Sequence, residues 1–416
     1  MRTKTTLAPS PVRESVSFQE ALELILDAAM PLGPVEKRWN EALGDVLAED
    51  MVSSEPSPAF DQSSVDGYAV RAESVGAASA DQPVTLAVID EVAAGTVPQR
   101  ALAPGTAIRV MTGAAIPSGA DGVVPIEQAN EQGPVTVAIL APAKSGDHIR
   151  RAGEDIRPGM RLLQAGTRLT PARLGLLALL GRTTVKVHRK PSVAILSTGN
   201  ELADVGGPLS LGKVRNVNSA MLGALVSELG CPAADLGLVR DDLPAICSKL
   251  AAGLSHDVVI TSGGVSVGRH DHMLEAMQHC GVELLFWRVR IKPGMPLVVG
   301  RSGRTLWFGL PGNPVSALVN FVQFVKPALL KMMGARSPLE RVVVPAVLEQ
   351  MIFKDDRKRH FHRVVVERGP DGFRARSSGR QGSHMMASLA RANGLVAIPE
   401  ESAGFPAGRV VDVELL

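Results

Sequence analysis

The chain has 416 residues, 45% of them hydrophobic and 21% charged. At roughly 100 to 200 residues per domain this calls for two to four domains, and the composition excludes wholesale disorder or a fibrous repeat. Lys and Arg number 44 against 42 acids, a formal net charge of +2, and aromatics make up 3% with Tyr68 the sole tyrosine; a field that draws in a polyanion and a stacking platform for single strands are both missing, so nucleic acid is not the expected partner.

The longest apolar run, Leu174 to Leu180, falls far short of the roughly 20 residues of a membrane-spanning helix, so no membrane partner is expected. From Met1 to Val16 the chain carries scattered basic, Ser, Thr and Pro residues without the apolar core of a secretory signal, which reads as a frayed tail. Cys231, Cys247 and Cys280 are odd in number and widely spaced, against a disulfide framework or a structural zinc site and in keeping with a reducing cytoplasm.

Apolar residues at helical spacing predict a helix from Val16 to Met30, capped by Ser17 and stopped by Pro31-Leu-Gly-Pro34. From Met51 to Ala143 the texture changes to short β-type runs, Val84 to Ile89, Ala107 to Met111 and Val135 to Leu140, broken by Gly and Pro, as in a small β-rich domain. A Gly- and Arg-rich stretch, Ser145 to Gly166, and a helix from Pro171 to Leu180 behind Thr170 read as a connector returning to the opening arm.

After Lys190 apolar strands alternate with helical periods. A strand from Val193 to Leu196, helices from Ala220 to Leu229 and Pro244 to Leu254, and a strand from Asp257 to Ile260 lead to strands Leu284 to Val289, Leu297 to Val299 and Thr305 to Phe308, then a long helix from Pro314 to Met333. That alternation is the signature of a doubly wound α/β sheet with helices on both faces. Beyond Gly334, β-type runs among Gly and Pro turns indicate a second small β domain. The expected division is a discontinuous linker domain, 14–50 with 144–183, a β-rich domain, 51–143, an α/β domain, 184–334, and a C-terminal β domain, 335–416.

Ligands of open α/β sheets bind at the carboxyl ends of the strands. Three loops are expected there: Ser197-Thr-Gly-Asn-Glu201, Ser262-Gly263-Gly264-Val-Ser266-Val-Gly268, and Leu310-Pro311-Gly312-Asn313-Pro314. Glycines let backbone N–H groups approach an oxyanion and helix N-termini add a favourable dipole, so three such loops together point to a phosphorylated ligand. Glu201, Asp241, Asp242 and Asp271 surround them; they would repel a bare phosphate but suit a bridging hard cation such as Mg²⁺, with Asp242 read as a solvated rim residue. By the period-two rule Arg288, Arg290 and Lys292 place positive charge on one face of a strand.

Gly264-Val-Ser266-Val-Gly268 also fits the G-x-S-x-G hydrolase pattern, with Asp271 and His272 behind it. That elbow requires the strand to run straight into the serine, whereas this strand is expected to end near Ser262. His270-x-His272 and His360-x-His362 lack a third spaced ligand and read as surface histidines rather than metal sites. In the β-rich domain, Ser63-Ser-Val-Asp66-Gly-Tyr-Ala69 and Val110-Met-Thr112-Gly-Ala-Ala-Ile-Pro117 are compatible with turns as much as with a site.

Taken together these segments, with Arg150–Ile156, Val239–Asp242, Ile291-Lys-Pro-Gly294 and Gln381-Gly-Ser-His384, run collinearly over nearly the whole chain and resemble the molybdopterin molybdenumtransferase family, the MoeA type that includes the E domain of gephyrin. The resemblance implies an elongated four-domain homodimer whose cleft is shared between subunits. It implies Mg²⁺-dependent insertion of molybdate into adenylylated molybdopterin with release of AMP, and a transient contact with molybdopterin adenylyltransferase. Family members that act as molybdopterin-binding scaffolds, or that insert tungstate, are the alternatives.

Position by position, the resemblance implies catalytic roles for Glu201, Asp241 and Asp271, with Mg²⁺ on Glu201 and Asp271, and for Asp66 and Thr112 from the partner subunit. Lys292, with Arg288, would hold the pterin phosphate beside the glycine loops. Pro311 and Pro314 would shape the floor, Arg150 and Asp155 match the hinge, and Arg363 and Ser383 fall where the last domain approaches. The chain departs from the family's Lys-Pro-Gly-Lys-Pro in carrying Met295 at the second lysine, and has Arg269-His270 where some members carry an acidic pair.

Overall fold

Ser17 closes a capping box with Glu20, whose backbone N–H donates to Ser17 Oγ at 3.2 Å while the Ser17 N–H donates to Glu20 Oε2 at 2.8 Å. This pins the start of the helix Phe18–Ala28, which buries Phe18, Ala21, Leu22 and Ile25 along one stripe. The helix therefore begins two residues later than its periodicity suggests, because Arg13–Val16 is a strand. The computed structural model describes residues 13–265, 272–337, 339 and 341–416. The expected tail up to Val12, and Ser266, Gly268, Arg269, His270 and Asp271, lie outside the described residues.

The chain forms two compact units. One holds the residues up to Glu49, Ala165–Gly175 and Thr183–Leu416; the other holds Asp50–Gln164 and Leu176–Arg182. The second unit is built on a six-stranded sheet in the order Gly122–Pro125, Gly67–Val70, Thr106–Val110, Val84–Val92, Thr136–Ile139, Ala129–Glu131. Tyr68, Val124 and Val137 bury one face of it and Ala69, Ile108 and Val123 the other, the alternation expected of strands covered on both sides.

The first unit is organised by a seven-stranded sheet in the order Arg13–Val16, Glu283–Val289, Val298–Ser302, Thr305–Leu310, Val258–Ser262, Val193–Thr198, Ala233–Val239. The last four are parallel, Val298–Ser302 is antiparallel to both neighbours, and Arg13–Val16 joins the far edge in parallel. One face is covered by Phe18–Ala28, Val217–Glu228 and the long apolar helix, the other by Leu243–Gly253 and Met273–His279, so the α/β architecture with helices on both faces is present. The sheet is mixed because the connections on either side of Val298–Ser302, residues 290–297 and 303–304, are too short for the crossover that a parallel return requires.

The long helix starts at Pro314, opens into a wide π turn at Phe321–Val325 and continues to Met332. Pro327 has no N–H for the carbonyl four residues back and its ring crowds that carbonyl; the wide turn ahead of it relieves the clash. Among the described residues this is the one helix long and apolar enough to cross a membrane, but 83% of its most apolar stretch is buried as a core helix of the protein.

The C-terminal strands Arg359–Gly369, Gly372–Ser377, Val343–Leu348, Val410–Leu415 and Gly394–Ile398 close into a ring through the extra pairing of the first and last, a small barrel filled by Ala346, Val364, Val396 and Val413. Ile291–Lys292, leaving the α/β sheet, adds to Arg359–His360 in parallel.

Candidate active site

Val193–Thr198, Val258–Ser262 and Thr305–Leu310 lie side by side in one register, with Ser197 opposite Ser262 and Ser262 opposite Leu310. Their carboxyl ends deliver the three loops to one place. Gly263 adopts φ +94° and Gly264 φ +66°, backbone open to glycine and strained for other residues. A Cβ on Gly263 would lie 2.3 Å from the Thr198 carbonyl oxygen, and one on Gly312 would touch Gly263 Cα at 3.8 Å. The loops are therefore packed backbone against backbone.

A cavity of about 570 Å³ opens over them. Thr198, Glu201, Ser262, Gly312, Asn313 and Pro314 contribute from the strand ends, Asn216 and Asn218 from the start of the Val217–Glu228 helix, and His384 and Met386 from the C-terminal domain. Pro311 is buried beneath this wall. Ser383 ties the C-terminal loop down, its carbonyl accepting the Val315 N–H at 3.1 Å in the first turn of the long helix.

Glu201 projects back over its own loop, so that a Cβ on Gly199 would meet its carboxylate oxygens at 2.6 and 2.8 Å; among the described residues no hydrogen bond or ion pair engages that carboxylate. Asp241 is tied to the same loop through Asn200. Asp241 Oδ2 accepts the Asn200 N–H at 3.1 Å and the Asp241 N–H donates to Asn200 Oδ1 at 3.3 Å. Asp242 is a helix N-cap rather than a free rim residue, its Oδ2 accepting the Ala245 N–H at 3.1 Å.

Arg288, Arg290 and Lys292 do not share a strand face. Arg288 sits at φ +69°, which ends the alternation, and its guanidinium stacks 4.2 Å over the Trp287 ring. Arg290 donates to the Ser15 carbonyl. Lys292 belongs to another sheet, its Nζ 3.9 Å from Asp356 Oδ2 and its side chain about half exposed. The loop that follows is anchored by Asn320 Nδ2, which donates to the Gly294 carbonyl at 3.0 Å.

Asp66 and Thr112 stand together in the other unit, where Asp66 Oδ1 accepts both the Thr112 N–H and hydroxyl at 2.7 Å. Those bonds, the hydroxyl's first, hold the exposed Asp66 carboxyl below its ordinary range. Arg363 does not face a ligand. It is fully buried on the barrel, donating to the Arg380 and Gly382 carbonyls at 2.9 and 3.2 Å and to Ser388, and so props up the loop that carries Ser383 and His384.

His360 and His362 are not surface histidines either. Both are partly buried on the Arg359–Gly369 strand, and burial, with the neighbouring Arg363 and His360, pushes His362 down to about 4. His360 Nε2 lies 2.8 Å from Asp356 Oδ1. Among the described residues no three His, Cys, Asp or Glu side chains converge on a metal-sized space. The strand ahead of the hydrolase-like serine ends at Ser262, as expected for a loop and not an elbow.

The sequence matches the MoeA N-terminal region (domain I and II) over residues 16–181, the probable molybdopterin binding domain over 194–331 and the MoeA C-terminal region (domain IV) over 345–416. Molybdopterin molybdenumtransferase 2 of Mycobacterium tuberculosis is 39% identical over 95% of this chain and 98% of its own length. The chain belongs to the molybdopterin molybdenumtransferase family. Another relative, the molybdopterin molybdenumtransferase of Bacillus subtilis, is 37% identical over 92% of this chain and 90% of its own. The crystal structure of the molybdopterin biosynthesis MoeA protein from Pyrococcus horikoshii OT3 superposes with a TM-score of 0.84 at 35% identity, covering 97% of this chain and 100% of that one.

Within this molybdenumtransferase, cavity residues Asn216, Asn218 and Met386 escape the sequence reading, while Thr198 and His384 enter it only inside the runs Ser197–Glu201 and Gln381–His384. The run Asn216-Val-Asn218-Ser219 carries the missed signal. Asn216 is an N-cap whose Oδ1 accepts the Ser219 N–H at 3.3 Å, which starts the helix at Val217 and not at Ala220.

Proposed function

We propose that the protein is a molybdopterin molybdenumtransferase that inserts molybdate into adenylylated molybdopterin in the presence of Mg²⁺ and releases AMP. One observation carries the reading: three in-register strand ends present to a single cavity glycine-rich backbone of the kind that suits an anion, with the Glu201 carboxylate, unpartnered among the described residues, on its wall. Family membership fixes the cargo class; the strand-end geometry supports a phosphate-bearing form of it.

The donor set suits Mg²⁺, which is held by one or two carboxylates together with substrate phosphates and water and needs no three-ligand protein cage. Glu201, with Asp271, would hold it, and bound there it would offset charge at the phosphoanhydride. Lys292 and the loops of Gly263 and Gly312 would hold the pterin's terminal phosphate. Attack of water on the adenylyl phosphorus would break its bond to the bridging oxygen, so that AMP leaves with the water oxygen and the pterin keeps its phosphate; attack of a molybdate oxygen would instead give an adenylyl-molybdate anhydride that water then opens to AMP and molybdate. Asp241 and Asp66 would position the reacting groups or accept the water proton.

In this reading Asp66 and Thr112 are delivered from the second subunit of a homodimer working in a reducing cytoplasm, which three free thiols suit. The adenylylated substrate would arrive by transient contact with molybdopterin adenylyltransferase. The test is a stopped assay of the purified protein with adenylylated molybdopterin, Mg²⁺ and molybdate or tungstate. AMP release that requires metal oxyanion and Mg²⁺ is expected; none would leave a molybdopterin-binding scaffold, and equal rates with tungstate would broaden the substrate. Mixing Asp66→Ala with Glu201→Ala protein should restore part of the activity if the site is shared between subunits.

A further inference from the structure

We propose that Asn218 is a positioning residue that commits the Ser262 hydroxyl to donating to an anionic oxygen of the bound molecule. The inference rests on the assignment of the cavity to molybdopterin.

Asn218 is 5% exposed in the first turn of the Val217–Glu228 helix. Its Nδ2 donates to Ser262 Oγ at 2.6 Å and to the Gly312 carbonyl at 2.9 Å. A carbonyl oxygen only accepts, so the amide has one possible orientation and both of its N–H bonds are spent. Ser262 Oγ is the acceptor in its pair, and a hydroxyl carries a single proton. That proton has no other acceptor among the described residues. Ser262 lines the cavity at the point where the Gly263 and Gly312 backbones meet, so a phosphate oxygen seated on these loops is the acceptor the geometry leaves for it.

The opposite end of the same amide is equally constrained. Asn218 Oδ1 is buried without a partner among the described residues, and as an obligate acceptor it calls for an N–H or O–H. A phosphate monoester dianion has none, so the donor must come from another part of the same molecule. Asn218 thus suits a molecule that carries both an oxyanion and a hydrogen-bond donor, as a phosphorylated pterin with its ring N–H groups does. If instead Asn218 merely pins two loops together, its removal affects stability without changing what Ser262 does.

The test is a thermodynamic cycle on the full-length protein, titrating molybdopterin anaerobically and following pterin fluorescence. Ser262→Ala should weaken binding about tenfold, the worth of one charge-assisted hydrogen bond. Asn218→Asp keeps the side-chain shape but reverses the pair, because a carboxylate accepts and the Ser262 proton turns to it. Ser262→Ala added to Asn218→Asp should then change the affinity less than twofold. A tenfold loss from Ser262→Ala in both backgrounds overturns the inference. Should Asn218→Asp not fold, Ser262→Ala alone decides, and wild-type affinity overturns it. A wild-type protein that binds no molybdopterin fails at the earlier step and removes the cavity assignment itself.

Discussion

Gly263→Ala separates a steric requirement of the site from ordinary glycine strain. At φ +94° an alanine pays for a left-handed backbone, about 1–2 kcal/mol. Its Cβ would also stand 2.3 Å from the Thr198 carbonyl oxygen and 3.2 Å from Thr198 Oγ1. Real Cβ contacts of this kind lie beyond about 3 Å, so the ends of two paired strands must part by several tenths of an ångström, and overpacking of this sort costs about 1–3 kcal/mol more. The sum is about 2–5 kcal/mol. Gly212→Ala supplies the reference, since Gly212 has φ +83° with nothing within 4 Å of its Cβ position, and should lose only the backbone part. Urea unfolding followed by tryptophan fluorescence reads this unit, because Trp39, Trp287 and Trp307 all belong to it. Equal midpoint shifts for the two variants would refute the claim that the loops are packed backbone to backbone.

Gly199→Ala meets a different neighbour, the movable end of Glu201, so it should displace the carboxylate and lower turnover at least tenfold in an AMP-release assay while destabilising the fold by about 1–3 kcal/mol for its φ of +151°. Thr112→Ala removes the hydroxyl, the larger of the two donors that hold the Asp66 carboxyl low, and leaves the backbone N–H in place; a lowered value keeps the carboxylate ionised into acid, so the acid limb of the pH–rate profile should move up in the variant, and an unmoved limb would separate Asp66 from the rate. For Asp257, burial by itself would raise the carboxyl, but the paired Arg189 guanidinium and the Ser192 donors outweigh it and bring the group to about 2. Its folded value lies below the unfolded one, so its contribution, ~2 kcal/mol, is present above about pH 4 and lost as pH falls toward 2; Asp257→Asn should flatten the melting temperature across that window. Arg363→Lys cannot span the acceptors that one guanidinium reaches at Arg380, Gly382 and Ser388, and should lower stability by about 2 kcal/mol and speed amide exchange at Gly382–Met386.

The glycine loops were legible because each follows an apolar run with Gly, Asn or Pro where the strand must stop. The strand Ala233–Val239 was not. It is an edge strand reading AADLGLV, interrupted by Gly237 at φ +87°, and poor β-formers there are tolerated because one neighbour supplies all the pairing. Met273–His279 starts without a side-chain cap, so nothing local announces it. Arg288 defeated the period-two rule by a single left-handed residue, and Asn218 gave no signal because its importance lies in contacts with Ser262 and Gly312, 44 and 94 positions away. His362 read as surface because neutral burial of an imidazole leaves no trace in a strand pattern.

One of these misses, Asn218, lies at the strand ends, and that has a physical meaning. Thr198 Oγ1 and Asn218 Oδ1 are buried without partners among the described residues, and each such atom costs about 1–3 kcal/mol that a core does not require. Gly199, Gly263 and Gly264 hold left-handed backbone within the same few residues. A sheet whose faces are filled by Val193, Ile195, Ile260 and Phe308 on one side and by Ala194, Leu196, Val259 and Trp307 on the other can carry that expense, since those side chains are fully buried on paired strands. Unpartnered buried atoms and positive-φ glycines occur elsewhere too, as at Gln323 Oε1, Ser378 Oγ, Gly119 and Gly404, but here they border one cavity together with the Glu201 carboxylate, and that combination is what a site looks like before its ligand completes it. The stable part of the sheet thus explains why the chain folds, and the uncompensated part explains what the fold is for.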